Sequence, residues 1–174
     1  MRVGVYVSML AILVGLAGPA RSQEKAANSN PIDQIAWLMG GRWTADGDKG
    51  PDGKPFHVES RFSWAENHRG LMFTTWFLID GKLVPVYQGM YAWNPARKKF
   101  NFLYTDNEGS MTEGEATWAD KSLEQEFQIV NPDGTAHTFR STVTHTAPDA
   151  YDWNVRGQNK EGKWVVMFGL TYKR

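Results

Sequence analysis

The chain has 174 residues, 19 Lys and Arg against 19 Asp and Glu, and no cysteine. Balanced charge without a long basic run excludes a nucleic-acid surface, which needs clustered cations to neutralise phosphates. The missing cysteines exclude disulfides and a lipidated N-terminal cysteine, so 8 Trp, 6 Tyr and 9 Phe must supply the apolar area for the core.

Residues 1–22 read as a secretory signal peptide. Arg2 supplies the positive start, Val3 to Leu16 an apolar run too short to span a bilayer, and Ala20-Arg21-Ser22 a small-x-small cleavage site. The expected product is exported, to the periplasm or the medium, with no membrane span once the leader is gone. Residues 23–30 are small and polar, a flexible tether, and residues 31–174 form one domain. It opens with a short helix from Pro31 to Met39: Asn30 serves as N-cap, Pro31 takes the first helical position and Gly40-Gly41 ends the run. Ile32, Ile35, Ala36 and Met39 share its apolar face, widened by Trp37 and Leu38.

Strands follow to the end of the chain. Their predicted spans are Arg42 to Ala45, Phe56 to Trp64, Leu71 to Ile79, Leu83 to Trp93, Phe100 to Thr105, Met111 to Trp118, Leu123 to Val130, His137 to His145, Tyr151 to Arg156 and Trp164 to Tyr172. Asp80-Gly81 and Asp133-Gly134 are hairpin signals, Asn94-Pro95 and Asn131-Pro132 open tight turns, and Glu161-Gly162 closes the last one. Links this short join antiparallel neighbours only. The expected fold class is therefore all-β, an antiparallel meander of about ten strands closing into a barrel with the short helix at one end.

Alternation assigns the faces. Phe56, Val58, Ser60, Phe62 and Trp64 should point inward, with His57, Glu59 and Arg61 outward. The same rule turns in Thr112, Gly114, Ala116 and Trp118, then Leu123, Gln125, Phe127 and Ile129, then Tyr151, Trp153 and Val155, and finally Trp164, Val166, Phe168, Leu170 and Tyr172. Tyr87 and Gln88 oppose each other, and alternation leaves open which one enters. The span from Leu71 to Trp93 is apolar on both faces, which places a homodimer contact on its outer side.

A short helix followed by Gly41-Arg42-Trp43 at the opening of the first strand resembles the Gly-x-Trp signature of lipocalins and other calycins. The resemblance implies that Trp43 seals the closed end of the barrel and that a basic residue at the end of the last strand, Lys173 or Arg174, packs over it. The layout from Pro31 to Arg174 is similar to a lipocalin-like family of exported bacterial proteins. It departs from lipocalins at Asn107, where they carry an aromatic after Thr105-Asp106, in lacking a C-terminal helix, and in strand number, which is closer to fatty-acid-binding or nitrobindin-like barrels.

About ten strands enclose more space than the eight that side chains just fill. The expected function is binding of a small, mostly apolar molecule by a wall of Tyr87, Tyr91, Phe100, Phe102, Phe127, Phe139, Trp153 and Phe168, with Gln125 and His145 as polar contacts. Three alternatives stand beside it: a calycin enzyme of isomerase or decarboxylase type, a filled-core interaction module, and a haem-binding barrel. Haem, implied by the nitrobindin-like resemblance, would need one of His57, His68, His137 or His145, with His145 favoured. His137 and His145 stand roughly 26 Å apart along one strand, too far to share a metal. Glu113 and Glu115, about 7 Å apart on one face, belong in water rather than in catalysis, because the better inward set lies on the other face. Asp46 to Gly53 reads as a loop over the barrel mouth, lacking the oxygen ligands of a calcium loop. No cofactor is called for by any local motif.

Overall fold

The computed structural model describes residues 30–48 and 53–174. The expected signal peptide, most of the tether and part of the loop after Asp46 lie outside these residues. The rest is a closed antiparallel barrel of ten strands: β1 (Arg42–Gly47), β2 (Phe56–Trp64), β3 (Gly70–Ile79), β4 (Lys82–Asn94), β5 (Lys99–Asp106), β6 (Met111–Ala119), β7 (Ser122–Val130), β8 (Ala136–Ala147), β9 (Ala150–Gln158) and β10 (Trp164–Lys173). Most strands outrun their predicted ends by one or two residues, because pairing with a neighbour extends each ladder into flanking polar positions. Each strand pairs with the next in sequence, and β10 returns to β1 at Thr44 and Lys173.

The predicted helix forms, but as a 3₁₀ helix over Pro31–Leu38. Its three-residue repeat puts Ile32, Ile35 and Leu38 on the buried face, where a 3.6-residue period had placed Ala36 and Met39. Asn30 makes no side-chain cap; its amide instead donates to the His68 carbonyl at 2.8 Å, tying the helix to the β2–β3 loop. The helix stoppers one end of the barrel, the floor. There Trp43 is fully buried and donates its indole N–H to the Leu38 carbonyl at 2.7 Å. Arg174 is the basic residue over it, with its guanidinium 4.5 Å from the Trp43 ring and donating to the carbonyls of Met39 and Pro148 at 2.8 and 2.6 Å. Gly41 makes room for that arm, since a Cβ there would stand 2.9 Å from Arg174 Cδ.

Alternation holds along most strands and fails where a bulge resets it. In β10 the register shifts between Val166 and Phe168, so Trp164 and Val166 pair with Gln158 and Arg156 and face outward, contrary to the even spacing of the sequence. Arg140 on the outer wall covers the Trp164 ring at 4.5 Å. A second shift, between Thr75 and Trp76, lengthens β4 by one residue and decides the open question on that strand: Tyr87 enters and Gln88 is exposed. Glu59 points outward as expected, yet Arg42, Arg61 and His57 gather round it and leave it only 5% exposed. Met72, Met90 and Leu103 align across β3, β4 and β5 and are all exposed, on the face assigned to a homodimer contact.

Turn chemistry also behaves unevenly. Asp80 and Gly81 both have positive φ, 49° and 74°, the type I′ geometry that the pair predicts. Asp120 and Lys121 adopt the same geometry at 48° and 66° without a glycine to ease it. Two expected outcomes follow from these contacts. Lys121→Gly raises stability by about 0.5–1 kcal/mol by relieving left-handed strain, and Arg174→Ala lowers it by about 1–3 kcal/mol through the lost ring contact and hydrogen bonds, both read from urea midpoints. An unchanged midpoint for Arg174→Ala would mean that the floor is held by the helix alone.

Candidate functional site

Strand direction gives the interior two ends. The floor lies under the helix, and the mouth lies where the β1–β2, β3–β4, β5–β6, β7–β8 and β9–β10 connections cluster. Burial differs sharply between them. Trp43, Leu71, Phe100 and Leu123, near the floor, are fully buried. Toward the mouth, Phe56, Phe77, Tyr87, Tyr104, Phe139, Val155 and Phe168 also point inward by register but are only half-buried.

The rings of the mouth half touch one another along the wall. From Trp153 the contacts run through Phe168, Phe56, Phe77, Tyr87, Tyr104, Phe102 and Phe127 to Phe139, with successive centroids 5.5 to 6.3 Å apart. Two strands contribute no ring. β1 offers Gly47, where a Cβ would lie 2.2 Å from the Phe56 ring, and β6 offers Gly114, where it would lie 2.5 Å from Phe127 Cβ. These glycines let rings of the flanking strands meet across them, Phe56 with Phe168 and Phe102 with Phe127. The belt is open only between Phe139 and Trp153, where Val155 stands.

Polar groups sit at the base of this belt. The Ser141 hydroxyl donates to Gln125 Oε1, and Gln125 Nε2 donates to the Tyr91 hydroxyl oxygen at 2.8 Å. Ser60 and Thr75 share a hydrogen bond of 2.8 Å. Ser60, Thr75, Gln125 and Ser141 thus each have a partner, as the low-dielectric interior requires. Among the described residues, no inward position between floor and rim holds Asp, Glu, Lys or Arg. Asp106, the inward carboxylate of β5, lies at the rim and accepts from the Glu108 and Ser110 amides of its own turn.

The expected site residues therefore separate into groups. Tyr87, Phe102, Phe127, Phe139, Trp153 and Phe168 belong to the ring belt, and Tyr91 and Gln125 to the polar base. Phe100 lies in the solid floor against Trp93. His145 stands apart from the others: it stacks on Trp37 of the helix at 4.3 Å and 8°, with Nε2 shut away from water and unpaired. Its strand passes under the helix before it turns, which its nearness to a loop in sequence does not convey. The sequence reading turned Thr112, Gly114, Ser141 and Tyr172 inward without naming them as site residues, and it missed Tyr104 and the role of the glycines, since nothing local marks a glycine as a place where two rings meet.

A concavity of about 1300 Å³ lies outside this interior. It is a groove on the outer wall lined by Glu113, Glu115, Glu126, Arg140 and Arg156 among others. Glu115 is held by Arg97 and Lys99, and Glu126 by Arg140, so the groove neutralises its own charges. The hydrogen bonds from Arg97 and Lys99 hold the Glu115 carboxyl below its ordinary pKa. Both Glu113 and Glu115 stand on the outer face, as alternation requires. Among the described residues no group of His, Asp or Glu is arranged to hold a metal ion.

Burial raises the phenol pKa of Tyr87, Tyr91, Tyr104, Tyr151 and Tyr172, that of Tyr104 to about 12. For Tyr87 the charges of Asp106 and Glu108 add to the effect. The unfolded chain ionises its phenols near pH 10, so their contribution to stability is full below about pH 10 and is lost as pH rises toward the folded values. A protein of residues 23–174 should show little phenolate absorbance at 295 nm up to about pH 11, then gain it together with loss of its circular dichroism. Smooth titration near pH 10 in the folded state would show the phenols to be freely solvated.

Comparison with known proteins reveals no matching family model and no matching curated protein. Among solved structures the chain is similar to the crystal structure of Rv2717c from M. tuberculosis, with a TM-score of 0.55 and 14% identity over 84% of this chain and 98% of that one. The likeness is one of fold: a barrel of this kind built from a largely different sequence.

Proposed function

We propose that this chain is an exported, lipocalin-like binding protein that holds one small, mostly apolar molecule inside the ring belt at the mouth of its barrel. One observation carries the reading. Side chains that point into the same interior are fully buried at the floor and half-buried at the mouth, and inward rings that still meet solvent leave room between them. Rings touching in sequence along the wall agree with a barrel of ten strands, which encloses more space than the eight that side chains just fill. Export rests on the reading of residues 1–22.

The alternatives draw less support. An isomerase or decarboxylase would need an inward acid or base that titrates near neutrality, whereas the wall between floor and rim offers phenols that burial keeps protonated. Haem would need an imidazole nitrogen open to the interior. His57 faces outward beside Asp46, His68 lies in the β2–β3 loop, His137 is exposed at the rim, and His145 Nε2 is sealed beneath the helix. The favoured histidine does not fit as an axial ligand while the helix is in place.

Val155→Trp separates a binding barrel from a filled-core interaction module. If the mouth half has room, the larger side chain occupies it: stability changes by less than about 1 kcal/mol, and binding of the neutral fluorophore N-phenyl-1-naphthylamine falls at least tenfold. If the core is solid, overpacking costs about 1–3 kcal/mol and the wild-type protein does not bind the fluorophore at all.

A further inference from the structure

The polar base of the belt has a directionality that selects the ligand. Gln125 has its amide oxygen engaged by the Ser141 hydroxyl and therefore presents its N–H to Tyr91, whose oxygen accepts at 2.8 Å. A phenol that accepts still has a proton to give. Among the hydrogen bonds of the described residues, the Tyr91 proton has no acceptor. Tyr91 lies against Phe73 and Phe102, its ring centroid 5.7 and 5.3 Å from theirs, at the inner edge of the belt. Gln125 and Ser141, both buried, fix its orientation from across the barrel.

The surroundings complete the description. Among the described residues the interior between floor and rim carries no ionised side chain, so a charged ligand would leave water without meeting a counter-charge, at a cost that neutral hydroxyls do not repay. Aromatic faces on most of the wall favour a flat, apolar body. We propose that the ligand is a neutral, ring-containing molecule bearing a carbonyl or ether oxygen, and that Tyr91 determines specificity by donating its phenol proton to that oxygen. Gln125 and Ser141 act as positioning residues, and the proposal rests on the binding function set out above.

The test compares three fluorescent probes on the mature wild-type protein and on Tyr91→Phe. The probes are 6-propionyl-2-dimethylaminonaphthalene, a neutral ketone; N-phenyl-1-naphthylamine, neutral and without an oxygen; and 8-anilinonaphthalene-1-sulfonate, an anion. The wild type should bind the ketone at least tenfold more tightly than the anion. Tyr91→Phe should weaken the ketone about three- to tenfold, the range of one neutral hydrogen bond, and leave the oxygen-free probe within about twofold. Gln125→Leu, which frees Tyr91 from its anchor, should lower ketone affinity in the same direction. Equal binding of anion and ketone, or equal loss of both neutral probes in Tyr91→Phe, would overturn the inference while the binding barrel stands. If none of the three binds the wild type, the binding function itself fails and the inference with it.

Discussion

The rest of this structure follows from a difference between the two ends of the barrel, whose inward side chains are fully buried at one and half-buried at the other. A closed sheet of ten strands has an interior that must be filled, capped or left accessible, and the chain does different things at its two ends. At the floor the 3₁₀ helix drives Ile32, Ile35 and Leu38 onto the buried Trp43, and the last residue of the chain, Arg174, fastens over that ring while bridging two carbonyls from separate parts of the sequence. The first and last strands meet in register at Thr44 and Lys173, so this clasp joins β1 to β10 where the ladder itself contributes little. Trp37 extends the seal sideways over Trp43, Trp118, His145 and Tyr151.

With the floor closed, the character of the mouth half follows from two residue types. Rings supply the wall, and glycines at 47 and 114 remove the side chains that would separate those rings, so that contact runs past strands which contribute none. The polar groups beneath are neutral and paired with one another, and burial holds their phenols protonated well into alkaline solution. Such a surface is poorly suited to proton abstraction or ion binding and well suited to a neutral guest. The outer wall behaves in the opposite way, with Glu59, Glu115 and Glu126 each matched to arginine or lysine partners.

Much of this was legible in the sequence, and the misses have physical causes. The period of two along each strand gave the inward sets from Phe56 to Trp64, from Thr112 to Trp118 and from Leu123 to Ile129, because a one-residue error would have put charges inside. The rule broke at Met167 in β10, where a bulge reverses the parity of Trp164 and Val166; an extra residue in one strand leaves no mark in a sequence that is apolar on both sides of it. The Asp120-Lys121 turn was unmarked for a related reason: its left-handed backbone is imposed by the register of β6 and β7, not by a glycine. Gly41-Arg42-Trp43 carried the floor because its three residues each have a separate job there. For the site, Gln125 was readable as an inward polar residue among apolar neighbours, whereas its partners Tyr91 and Ser141 come from strands 34 and 16 residues away, a relation that only the closed barrel creates.

The decisive measurement is xenon pressurisation of crystals of residues 23–174, since xenon enters apolar space that already exists and creates none. The account predicts xenon among Phe139, Trp153, Val155 and Phe168 in the mouth half and none beneath the helix around Trp43. Xenon absent from the mouth half, with those rings in contact across the barrel centre, would contradict it.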